Sequence, residues 1–336
     1  MRIFVVVCLA ACSLYGQAGK LARPSMGFVF DQSTHQVRRI EGIPGAALVG
    51  SPVDFGFAVS AATVAPRLDS VFVMADGDCR AHLFRLTADA PRELAVEPMG
   101  ACLHVVYSPS GTAAALYSPG SVRVIKGLPD APVLAATVNL RPNAPVVAAA
   151  VNLRPNAAVV AAANLRPNPR PRRPLPFSLA ISDDGAYLLY GTGGLVELIG
   201  VAGDRRRVAD GTPGALAAFA PGGHDAAVIH SGKLILFQDI AGAATERSFA
   251  GIETPSALAF SPEGQKLFVA SAALQSVTTI QVDTGDRSAL PCDCAPSTLV
   301  PMGSVFRLNE LGVEPLWLLD TASDRGLVFV PAPAAN

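Results

Sequence analysis

One turn, returning about every 40 residues, constrains this chain more than any other feature of its sequence. Ser108-Pro109-Ser110-Gly111, Ser182-Asp183-Asp184-Gly185, Ala220-Pro221-Gly222-Gly223 and Ser261-Pro262-Glu263-Gly264 each follow an apolar run: LHVVY, FSLAI, ALAAF and ALAF. Pro presets φ early in the turn and Gly accepts positive φ at its end, so the recurrence has a stereochemical cause. Gly185, Gly223, Gly264 and Gly303 mark successive units at nearly equal intervals. Asp69, in the weaker match VAPRLDSVFVMAD, lies one such interval before Gly111. The fullest unit, 256–290, reads as an apolar strand, the turn, a strand over Lys266–Ala270, an alternating strand over Ser276–Val282, an Asp-Thr-Gly-Asp turn and a short fourth strand. Four strands per unit without helical patterning predict propeller blades, because a solenoid of this period needs helices. An antiparallel sandwich would not return the same turn once every four strands.

The stretch FSPEGQKLFVASAALQSVTTIQVDTG resembles the YVTN type of β-propeller repeat, a relative of WD40 repeats in exported bacterial proteins. The match is good over 256–290, moderate in three other units and weak at both ends. The Gly-His and Trp-Asp pairs of WD40 blades are missing, and the only tryptophan is Trp317 in PLWLLD. PCDC ahead of VFRLNE, PLWLLD and GLVFVP also resembles uncharacterised exported propellers of soil bacteria. The resemblance implies an all-β propeller of four-stranded antiparallel blades; it implies little about activity, since propellers host unrelated chemistries. Six units are countable, and residues 27–51 add about three strands before the first. Seven blades is the expected number and six the alternative, with one strand donated by the carboxyl terminus to close the ring.

The interval from Gly111 to Gly185 is nearly twice the others, too long for one blade. The excess is a tandem duplication: APVLAATVNLRPN (131–143), APVVAAAVNLRPN (144–156) and AAVVAAANLRPN (157–168). Removing 131–168 leaves an ordinary spacing. The first copy is expected to supply its blade's outer strand, and the rest of 131–176 reads as a low-complexity insertion within a single propeller domain spanning 24–334. Recurrent Arg-Pro breaks helices and ladders alike, which predicts an extended loop. Its six arginines, Arg141, Arg154, Arg166, Arg170, Arg172 and Arg173, form a basic arm for an anionic surface or are a tolerated coding expansion; the second reading is preferred, since six charges bind weakly at physiological salt. The chain's formal charge is −1, so the remainder carries about −7. With 16% charged and 50% hydrophobic residues, neither a disordered chain nor a nucleic-acid binder is expected.

Residues 1–18 read as a signal peptide: Arg2, an apolar run over Ile3–Tyr15, then Gly16-Gln17-Ala18 for cleavage before Gly19. That apolar run is too short to span a bilayer. Leu9-Ala10-Ala11-Cys12 matches a lipobox, so the alternative to a secreted or periplasmic protein is a lipoprotein anchored through Cys12. Export permits disulfides among Cys79, Cys102, Cys292 and Cys294, whose loops fall on one face of the propeller. Three connectivities stay open; neighbouring blades bring Cys79 to Cys102, with Cys292 and Cys294 as a local pair. Cys79, His82, Cys102 and His104 form the sole candidate zinc set, ranked below a disulfide because the spacing matches no familiar site. Asp76-Gly77-Asp78 lacks a calcium-loop ligand series and reads as a turn.

No nucleophile elbow, Walker loop, dinucleotide fingerprint or His-Glu-x-x-His occurs. Gly191-Thr192-Gly193-Gly194 joins two strands, which makes it a hairpin turn rather than a phosphate loop. His35, His224 and His230 stand in separate hairpins, His224 as a solvated turn residue. No catalytic residue and no cofactor is therefore assigned. Two functional readings follow. In the preferred one, a non-enzymatic, monomeric exported scaffold binds a protein, glycan or surface polymer through its loop face, with no transmembrane span. In the other, a propeller hydrolase or lactonase gathers acids and histidines at its central channel, where the inner strands offer almost none.

Overall fold

The recurrent serine turns share one hydrogen-bonding scheme in the computed structural model, which describes residues 24–77, 80–87, 90–96, 104–140, 147–148, 177–192, 195–210, 214–322 and 326–332. Ser108, Ser182 and Ser261 are buried, and each carbonyl accepts from the glycine N–H three residues on, at 2.9 Å. Each hydroxyl accepts from the N–H five residues on: Ala113 at 3.1 Å, Tyr187 at 3.0 Å and Lys266 at 3.2 Å. The serine thus caps the start of the next strand, satisfying a buried donor. Two of the predicted turn markers shift by one residue. In Ala220–Gly223 the positive φ falls on Gly222 (+78°) rather than Gly223, and in the 65–69 turn it falls on Leu68 (+63°) rather than Asp69.

The chain is an all-β propeller of seven antiparallel sheets. Blade 1 comprises Ser25–Asp31, Gln36–Ile43 and Ala46–Pro52; blade 2, Val59–Val64, Ser70–Ala75, Ala81–Arg85 and Arg92–Glu93. Blade 3 runs His104–Tyr107, Ala113–Ser118, Ser121–Lys126, Val133–Asn139 and Val147–Ala148. Blade 4 has Phe177–Ile181, Tyr187–Thr192, Leu195–Gly200 and Arg205–Asp210; blade 5, Leu216–Phe219, Ala226–His230, Lys233–Gln238 and Thr245–Ala250. Blade 6 holds Ala257–Phe260, Lys266–Ser271, Ser276–Gln281 and Arg287–Pro291; blade 7, Val300–Met302, Val305–Arg307, Leu316–Asp320 and Gly326–Val330. Five blades have the expected four strands. Among the described residues blade 1 has three and blade 3 five. The first tandem copy does supply the outer strand of blade 3, as Val133–Asn139.

Second strands lie between neighbouring blades and are buried on both faces, which is why Ser70–Ala75, Ala226–His230 and Lys266–Ser271 read as nearly unbroken apolar runs. Outer strands such as Thr245–Ala250 and Arg287–Pro291 face solvent and carry the charge.

Among the described residues the carboxyl terminus donates no strand to close the ring. Gly326–Val330 stays in blade 7, paired with Leu316–Asp320. Blade 1 instead lacks an inner strand among the described residues, and its first strand runs the way second strands run elsewhere. Gly27, at its start, sits at the Leu68 and Met302 side chains of the turn face, and Asp31, at its end, bridges in parallel to Leu311 on the opposite face. In front of that strand the turns of blades 7 and 2 bond directly, Gly303 N–H to the Pro66 carbonyl at 3.2 Å. Among the described residues, seven blades therefore stand around an inner ring built from the first strands of six. Val29, Ile40, Met302, Leu311, Leu316 and Leu318 pack as the apolar seam behind it.

Candidate functional site

The two faces of the propeller differ in what they offer. On the face of the serine turns, the side chains are spent on joining blades. Asp183 Oδ1 accepts from the Ser110 N–H (2.7 Å) and hydroxyl (2.6 Å), and its Oδ2 accepts from the Gly222 N–H (2.8 Å). One carboxylate ties three blades. Beside it, burial works to raise the Asp184 pKa, but hydrogen bonds from the Ser182 hydroxyl and Ala186 N–H, with His224 nearby, outweigh it and hold the carboxyl below its ordinary value. His224 lies 3.1 Å from Asp184 and 3.9 Å from Asp239, edge-on to Tyr187 at 4.9 Å. It is a half-exposed turn residue that also joins blades 4 and 5.

On the opposite face a groove of about 480 Å³ opens between blades 1 and 2. Its walls include His35, Asp54, Phe55, Phe57 and Asp76. Segment 53–58 is pinned at both ends: the Val53 N–H donates to the Val37 carbonyl, and the Asp76 N–H to the Ala58 carbonyl, each at 2.8 Å. Within it Asp54 accepts from the Gly56 N–H at 2.8 Å, a turn that Gly56 permits at φ +81°. Phe55 is buried edge-on to Phe84 at 4.9 Å. Phe57 lies 5.1 Å from the His82 ring, and His82 Nδ1 lies 2.8 Å from a Glu93 carboxylate oxygen. The blade 1 wall is equally fixed. Asp31, fully buried, accepts from the Ser33 N–H (2.9 Å), the Ser33 hydroxyl (2.6 Å) and Arg38 Nε (3.0 Å). Burial pushes its pKa up, and hydrogen bonds from Ser33 and Thr34 more than reverse this, leaving Asp31 below the usual value. The turn so held carries His35 at φ +55°, its ring 6.2 Å from Phe30. Among the described residues the lining contains two carboxylates, an imidazole and aromatic surface, and no Lys or Arg.

The inner strands offer much less chemistry. Among their described residues the ionisable side chains are His104 and Tyr107. Burial pushes the Tyr107 phenol far up, so it is neutral. His104 stands on the innermost strand of blade 3, while His82 stands on the third strand of blade 2 with Glu93 and Phe57 as partners. Cys79 and Cys102 lie outside the described residues, as do Cys12 and Arg141, Arg154, Arg166, Arg170, Arg172 and Arg173. Cys292 and Cys294 are buried between blades 6 and 7, their sulfurs at disulfide distance and their Cα atoms 5.0 Å apart. Of the groove, sequence reasoning singled out His35 and the 76–78 turn only as hairpin residues. Asp54, Phe55 and Phe57 were missed, because they lie between repeat units; the two aromatics flanking a glycine after an acid in DFGF were the available signal.

No helix among the described residues is long and apolar enough to cross a membrane. No family model and no curated protein matches the sequence. Solved structures do match. Apo AztD from Citrobacter koseri is 13% identical with a TM-score of 0.58, over 91% of this chain and 94% of its own. A candidate 6-phosphogluconolactonase from Bacteroides uniformis is 14% identical with a TM-score of 0.56, over 93% and 97%. A functionally unknown protein from Desulfotomaculum acetoxidans is 13% identical with a TM-score of 0.54, over 91% and 99%. At this identity what these proteins share with the chain is the β-propeller fold.

Proposed function

We propose that this chain is an exported propeller scaffold that binds a glycan or surface polymer in the groove between blades 1 and 2, without catalysis. The observation that carries the reading is the unequal chemistry of groove and channel. The groove joins aromatic surface for a sugar ring to carboxylates that accept from hydroxyl groups, whereas the inner strands hold almost no ionisable group. With two carboxylates and no cation among its described lining residues, the groove favours neutral or amino-substituted ligands over anionic ones. Export rests on residues 1–18, with anchoring through Cys12 as the alternative.

Calorimetric titration of the mature chain with neutral and amino-sugar oligosaccharides tests this. Phe57→Ala and Asp76→Asn should each weaken binding about tenfold, the loss of one good contact, and Asp76→Asn should do so with unchanged melting temperature. Binding indifferent to both variants, or absent for every sugar, would sink the proposal. The hydrolase reading has one specific support, the presence of His35, Asp54 and Asp76 on the same walls. Turnover of a neutral lactone, abolished by Asp76→Asn, would replace the scaffold with an enzyme.

A further inference from the structure

Blade 3 has a place for its outer strand, and the sequence carries two segments that fit it. Copy 1 fills it: Val133–Asn139 pairs with Ser121–Lys126, Val138 opposite Val122 and Ala136 opposite Val124. Ala136, Val138 and Leu140 alternate along the strand and are buried at 2%, 0% and 8% exposure. One repeat later copy 2 carries Ala149, Val151 and Leu153 at the same positions, and Asn152 matches Asn139. Between positions 133 and 140 the two copies differ only by Val147 in place of Leu134 and Ala150 in place of Thr137. Copy 3 is one residue shorter, so aligned from its start it places Asn164 where Val138 is fully buried. Copy 2 is also close at hand: Val147 and Ala148 pair with Thr137 and Ala136 on the outer edge of copy 1. No charged residue lies within 133–140 to favour one occupant over the other.

We propose that this outer position is a strand-binding site with two competent occupants in one chain, copy 1 and copy 2, and that they exchange. When copy 2 is seated, the hairpin loop after Lys126 lengthens from 127–132 to 127–145, and the connection to Phe177 shortens from 140–176 to 153–176. Loop-closure entropy then favours copy 1 by only about threefold. The insertion is thereby a spare strand as well as a linker, and copy 3 is the poorer fit, since matching its Asn164 to Asn139 leaves Ala163 in the seat of Val138.

The test is Val138→Asp made in two backgrounds, the full mature chain and the same chain lacking 144–156, with the unsubstituted deletion as control. In the deleted chain the charge has nowhere to go, and the folding equilibrium should fall on the order of a thousandfold. In the full chain copy 2 takes the seat and the loss should be about threefold; adding Val151→Asp should restore the full loss. Urea unfolding followed by circular dichroism reads all four. Equal damage in both backgrounds, no damage in either, a deletion control that does not fold, or a double variant no worse than the single one would each overturn the exchange.

Discussion

The junction of blades 3, 4 and 5 and the junction of blades 7, 1 and 2 solve one problem in opposite ways. At the first, adjacent inner strands touch, and the turns are tied by the carboxylate of Asp183, which receives three hydrogen bonds from two other blades. At the second, blade 1 has no inner strand among the described residues, and the turns of blades 7 and 2 meet over it. That gap is closed by apolar packing: Leu316 and Leu318, both fully buried, and Leu311 against Val29 and Ile40. Leu68 takes the left-handed position that glycine holds in other turns, with its side chain against Gly27, Met302 and Gly303. The comparison teaches that repeat geometry lets polar turn chemistry do the joining where blades are alike, and that packing must do it where they are not.

Three substitutions would break or sharpen that contrast. Leu316→Ala should have the largest effect, about 3 kcal/mol, since it leaves a cavity in the seam where the two ends of the chain's blades meet. Chemical unfolding measures it, and a loss below about 1 kcal/mol would mean that the seam collapses around the gap. Asp183→Ala should cost about 2 kcal/mol, because the Ser110 and Gly222 donors lose a charged acceptor. A neutral outcome there would show that water replaces the carboxylate. Leu68→Gly should have the smallest effect, a net loss of about 1 kcal/mol: relief of the positive-φ strain offsets part of the lost packing. If it stabilises the protein instead, the seam does not depend on that side chain.

The repeat itself was legible because a turn needing Pro and Gly leaves residues that periodicity counts, and that periodicity predicted the propeller. The same reading placed three strands before the first marker and assigned the first tandem copy to an outer strand. It misplaced Asp69 because no glycine marks that turn; Leu68 bears the positive φ while its side chain packs at Gly27 and Met302, both remote in sequence. It expected the carboxyl terminus to close the ring, since nothing local reveals that the first strand of blade 1 runs as a second strand. The contacts of His224 went unforeseen because its partners, Asp184 and Asp239, stand in other turns. The groove escaped for a similar reason. Segment 53–58 belongs to no repeat, and its neighbours His35 and Asp76 come from different blades.

What the sequence determined by itself is therefore the repeating part: the blade, its serine turn, the apolar second strands and the tandem insertion. These depend on interactions within a single repeat unit, which composition and spacing encode directly. Tertiary structure alone decided how the ring closes, which residues join blades and where a groove opens. Those outcomes depend on the relative placement of whole sheets, and side chains far apart in sequence meet only once each sheet has packed against the next.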